Sequence, residues 1–119
     1  MKYKCIVQSL DEEETIVKIG DTVITGFTNI CADFMDNEEA TVEIELYGDL
    51  IIQETSIHKK SILHKGGYTY LIYGILDIDS GTIKSEIDFS IDPSYLYEYG
   101  YLDKKYIELF VPRMDFCFD

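Results

Sequence analysis

Apolar and polar residues alternate with a period of two along most of the chain, as strands half-buried against a core require. Residues 41–47 are the clearest case. Val42, Ile44 and Leu46 fall on one side, and Thr41, Glu43, Glu45 and Tyr47 on the other. Residues 83–91 repeat the pattern and read as one strand. Ile83, Ser85, Ile87, Phe89 and Ile91 face in, while Lys84, Glu86, Asp88 and Ser90 face out. Further strands are predicted over residues 1–10, 15–19, 22–31, 50–57, 68–78 and 105–111, with a short edge strand over 114–119. Residues 68–78 are apolar on both sides, which suits a strand covered on both faces.

Turn signals separate these runs. Gly20-Asp21 and Gly48-Asp49 lie between strand-like segments, and Asp79-Ser80-Gly81-Thr82 makes a third tight connection. Gly26 and Gly74 fall inside predicted strands, where glycine marks a bend or a close backbone approach. Asp92-Pro93 reads as a helix N-cap followed by proline at the first helical position, opening a short helix that ends at Gly100. A strand competes for that stretch, because Tyr95, Tyr97, Tyr99 and Tyr101 recur at every second position. Residues 33–40 form an acidic connection with room for one helical turn, and residues 58–67 a basic loop. Seven to nine short strands, internal glycines and at most one short helix predict an all-β fold. The expected form is a small antiparallel barrel, OB-like or related, with residues 1–119 as a single domain. The resemblance to OB-type barrels is one of strand number and length. A β-sandwich is the alternative.

Charge narrows the function further. The 119 residues carry 23 acidic and 10 basic side chains, a net charge of −13. Residues 1–50 hold twelve acids against three lysines, a net of −9, whereas residues 55–76 hold no acid and include His58, Lys59, Lys60, His64 and Lys65. A surface of this sign repels nucleic acid and anionic membrane, which are excluded as partners, and attracts basic proteins. The first apolar run breaks at Gln8 and lacks the length of a signal peptide, and no run approaches the ~20 apolar residues of a membrane span. The chain therefore reads as cytoplasmic. Cys5, Cys31 and Cys117 are odd in number and widely spaced, which argues against a disulfide framework or a zinc site. They read as small apolar residues in strands.

No constellation specifies catalysis. Asp77 and Asp79 begin like a calcium loop, but Gly81 and Thr82 stand where a ligand and the glycine belong, and Asp88 stands in place of the closing glutamate. His58 and His64 are too far apart for a zinc pair on one helix. Ser61 and His64 lack a nucleophile elbow, and Gly66-Gly67 after Lys65 lacks the spacing of a phosphate loop. The reading is a non-enzymatic binding module with no cofactor and no metal. Its candidate surface is Asp33, Asp36, Glu38, Glu39, Glu43 and Glu45, offered to a basic protein partner by an inhibitor, an immunity-type protein or a mimic of nucleic-acid charge. Solubility alone is the simpler account of the same acids. The alternative is a barrel holding a small anionic ligand through Lys59, Lys60, His64 and Lys65 together with Tyr95, Tyr97 and Tyr99. The tyrosine run also fits packing at a barrel rim or a homo-oligomer contact.

Overall fold

The computed structural model describes residues 1–10, 14–28 and 38–118. Among them are eleven strands: β1 (Lys2–Leu10), β2 (Thr15–Ile19), β3 (Thr22–Gly26), β4 (Glu38–Tyr47), β5 (Ile51–Glu54), β6 (Ser61–His64), β7 (Tyr70–Asp77), β8 (Thr82–Lys84), β9 (Asp88–Ser90), β10 (Tyr106–Val111) and β11 (Arg113–Phe118). One turn of helix, α1 (Pro93–Leu96), and a 3₁₀ turn at Gly100–Leu102 interrupt them. The fold is all-β and antiparallel, with one sheet curled into a barrel-like form.

That sheet runs in the order β11-β4-β1-β2-β3. Its two edges meet where Phe27, just beyond β3, bridges Asp115 of β11 in parallel. The Phe27 N–H donates to the Met114 carbonyl and the Phe116 N–H donates to the Phe27 carbonyl, both at 2.8 Å. Gly26 makes this closure fit. A Cβ there would lie 2.8 Å from the Met114 carbonyl oxygen and 2.6 Å from the Phe116 ring. Both are tighter than a side chain tolerates, so the closing strand needs glycine at this position.

The second sheet runs β5-β10-β7-β8-β9, with β6 also paired to β7. β7 is its spine. One edge of β7 pairs with β10, and the other pairs first with β6, over Tyr70–Tyr73, and then with β8, over Ile75–Asp77. Gly74 sits at the changeover, where an added Cβ would collide with the Lys84 carbonyl. Both internal glycines thus mark close backbone approaches.

The two sheets face each other across one core. Val7, Val17, Ile24, Val42 and Met114 come from the first, and Ile72, Leu76, Ile83, Phe89, Ile107 and Leu109 from the second. Burying each such side chain stabilises the fold by about 1.5–3 kcal/mol relative to leaving it exposed. Tyrosine hydroxyls tie the layers. The buried Tyr70 hydroxyl accepts from the Thr25 N–H at 2.8 Å. The Tyr3 hydroxyl donates to the Asp88 carbonyl. Burial, then the Asp88 charge, pushes the Tyr3 phenol well above its ordinary value, so it keeps the proton it donates.

Several sequence expectations need correction. Residues 83–91 are a hairpin, not one strand: β8 and β9 pair Thr82 with Ser90, Ile83 with Phe89 and Lys84 with Asp88 around a bend at 85–87. The expected basic loop contains β6, whose ladder with β7 satisfies its backbone. The strand expected over 50–57 shortens to Ile51–Glu54, and the one over 22–31 to Thr22–Gly26, with residues 29–31 outside the described residues. Glu38–Ala40, placed in a connection, instead begin β4 because they pair with Val7–Cys5 of β1. The Asp92 side chain caps the expected helix by accepting from the Ser94 N–H at 2.9 Å, with Pro93 in the first turn. That helix ends at Leu96 rather than Gly100. No helix among the described residues is long and apolar enough to cross a membrane.

Candidate functional site

β4 carries the described part of the acidic surface and divides it. Asp33 and Asp36 lie outside the described residues. Glu38, Glu39, Glu43 and Glu45 are all exposed. Glu39 lies opposite Ile6 of β1, whose other neighbour is Lys18 of β2. It lines a concavity of about 490 Å³ together with Lys4 and Lys18, so lysines offset its charge. Glu45 lies six residues further along the strand, roughly 20 Å at the usual rise. The sequence cluster is therefore not one patch.

Glu43 and Glu45 belong to a different concavity. The β1–β4 ladder ends at Lys2 opposite Glu43. Beyond it, Ile44–Tyr47 continue with only β11 as a ladder partner among the described residues. A groove of about 530 Å³ opens there, between this tail of β4 and the passage from β9 into α1. Glu43, Glu45, Asp49 and Asp92 line it, with Tyr47 and Tyr95. Its apolar lining is Met1, Ile44, Leu46, Leu50 and Ile91. No Lys, Arg or His is among the described lining residues. The basic positions across the ladders from lining residues are Lys2, opposite Glu43, and Arg113, opposite Tyr47.

Local structure fixes each member of the groove. Alternation on β4 turns Glu43 and Glu45 outward and buries Ile44. Gly48, at φ +100°, bends the chain where it passes from β4, paired with β11, to β5, paired with β10, and Asp49 follows it on the groove. Asp92 is held by its cap. Hydrogen bonding from Ser94 lowers its carboxyl below the ordinary value, so it is ionised at neutral pH. Tyr95 Oη donates to the Gly48 carbonyl at 3.3 Å, joining α1 to the β4 turn. The Arg113 guanidinium lies over the Tyr47 ring at 4.2 Å and over the Phe27 ring at 4.5 Å. Asp115 fixes the guanidinium through two hydrogen bonds, at 2.6 and 3.1 Å. Arg113 and Asp115 thus hold the exposed Tyr47 ring at the groove.

The residues named for an anionic ligand are distributed differently. Lys59 lies 5.0 Å above the Tyr73 ring, and His58 stacks on Tyr106 at 4.7 Å. His64 on β6 stacks on Tyr70 at 4.8 Å, and its ring nitrogen is 2.7 Å from the Gly67 carbonyl. Lys60 and Lys65 are exposed on the flanks of β6. Tyr95 turns instead to the acidic groove, Tyr97 points into solvent, and Tyr99 packs partly against the core. The basic segment and the tyrosines are thus held by separate parts of the fold. Of the described cysteines, Cys5 is buried, which raises its thiol pKa, while Cys117 is exposed on β11 rather than packed.

Sequence reasoning passed over Asp49, Asp92, Tyr47 and Leu50 as site residues. In the sequence Asp49 reads as part of a tight turn, whereas the structure has a bend between β4 and β5, and Asp92 reads as a helix cap, which it is; the groove exists because residues 43–50 and 90–95 meet in space. Among the described residues no group of three His, Cys, Asp or Glu is gathered as a metal-ligand set. Neither the curated proteins nor the solved structures contain a match to this chain. Residues 1–118 match one family along nearly the whole sequence, and the chain belongs to that family, described as uncharacterised conserved protein UCP019853.

Proposed function

We propose that this protein is a binding module, not an enzyme, and that its partner is a basic protein taken up at the groove between β4 and α1. The observation that supports this reading is the groove itself. Four carboxylates and two tyrosines line it beside apolar residues, with no Lys, Arg or His side chain among its described lining, which also includes Met1. Such a lining attracts lysine and arginine, and the tyrosines supply apolar contact for their alkyl stems. An inhibitor or immunity-type role, or a mimic of nucleic-acid charge, is the biological form that follows. The test is affinity capture from the source cell with the wild-type chain and with Glu45→Lys/Asp49→Lys. A basic protein retained by the first at low salt, released by high salt and missed by the second supports the reading. Equal retention by both chains removes the groove from the account.

A further inference from the structure

We propose that the groove takes its partner as an added β-strand: an extended segment in which basic and apolar residues alternate, laid along Ile44–Tyr47 of β4. This rests on the basic-partner reading above and specifies its recognition mode. In a strand with neighbours on both sides, successive residues direct their N–H and C=O groups alternately to one neighbour and the other. β11 serves one side of Ile44–Tyr47, and the β1 ladder has already ended at Glu43. Met1, which precedes Lys2 and lines the groove, comes level with Ile44, so alternate backbone groups of Glu45–Tyr47 face the groove, where an incoming strand would pair with them.

The lining dictates the pattern of the guest. Side chains of an added strand alternate between the two faces of the sheet, as those of β4 do. Those on the outer face come beside Glu43 and Glu45, which are exposed, and opposite charges side by side across a ladder attract. Those on the inner face come beside Ile44 and Leu46 and toward Leu50 and Ile91. Lysine or arginine at one parity and valine, isoleucine or leucine at the other satisfies both faces. A compact basic surface would use the charges and leave the backbone edge and apolar floor unfilled.

The experiment uses the full chain and a short synthetic peptide that alternates lysine and valine. Its comparators are the same peptide N-methylated at alternate backbone nitrogens and a block isomer with all lysines together. The expected result is salt-weakened binding of the alternating peptide, slowed hydrogen exchange among the amides of residues 44–47, and binding at least about fivefold weaker for the methylated form, the loss expected from two hydrogen bonds. Equal affinity for all three peptides, weakened alike by Glu45→Lys, overturns strand addition while leaving a charge-driven basic partner in place. Binding that is indifferent to Glu45→Lys overturns both. Absence of peptide binding at low salt overturns strand addition, and the capture experiment then decides the broader reading independently.

Discussion

Removing one oxygen, by Tyr70→Phe, tests how the two sheets are held together. The Tyr70 hydroxyl accepts from the Thr25 N–H at 2.8 Å, and both residues are buried, at 2% and 6% exposure. The ring would remain, with its stack on His64 at 4.8 Å, so the apolar packing changes little. What changes is the Thr25 amide. It loses its acceptor in a place where water does not replace it, and a buried unpaired donor costs about 1–3 kcal/mol. For a chain of this size that is a fall in melting temperature of at least about 3 °C. Urea unfolding should show a lower midpoint with an unchanged slope, because the surface exposed on unfolding is the same. Tyr95→Phe is the control: its bond to Gly48 is long and exposed, so a loss below about 0.5 kcal/mol is expected. If Tyr70→Phe costs no more than Tyr95→Phe, the hydroxyl is not a tie between the layers.

Two further outcomes follow from the same geometry. Gly26→Ala forces a Cβ onto the Met114 carbonyl and Phe116 ring and should cost about 1–3 kcal/mol in urea unfolding, while Gly100→Ala, with open space around its Cβ, should be close to neutral. Asp77 has its carboxyl pKa lowered chiefly by a hydrogen bond with Lys104, whose Nζ is 2.7 Å away. Its folded value lies below its unfolded one, so its contribution is fully present above the ordinary 3.8 and is lost as pH falls through the folded value. Asp77→Asn should therefore be less stable than wild type at neutral pH, and acid titration of thermal stability should bring the two curves together below that range; a constant offset down to the lowest pH would refute the linkage.

The strands were legible where a face is half-buried and the neighbours are antiparallel. β4 shows this: Val42 and Ile44 are buried, and Glu43, Glu45 and Tyr47 are exposed. The Asp92-Pro93 cap was legible because capping is local chemistry. The β8–β9 hairpin was not, for a reason of parity. Its three-residue bend at 85–87 leaves Lys84 opposite Asp88, so paired positions share parity and the in–out alternation passes through the turn unbroken. β6 was hidden because Ser61–His64 is short, and its pairing is to a strand whose other residues lie beyond any local window. The groove was half-legible. Glu43 and Glu45 stood out as acids on an outward face, but Asp92 and Tyr95 join them only because β9 returns beside β4. The split between Glu39 with its lysines and Glu43 with the groove depends on strand register, which charge counting does not reveal.

The central claim is that carboxylates in this groove bind a basic partner, and the salt dependence of that association tests it most directly. With the captured partner, affinity would be measured for wild type and for Glu45→Gln/Asp49→Asn at about 50 mM and about 500 mM salt. Two exposed charge pairs at about 0.2–1 kcal/mol each give a weakening of roughly 2–30-fold for the double variant at low salt. The account predicts that loss, and predicts that it shrinks at high salt. An affinity that is unchanged by the substitutions at low salt would contradict it.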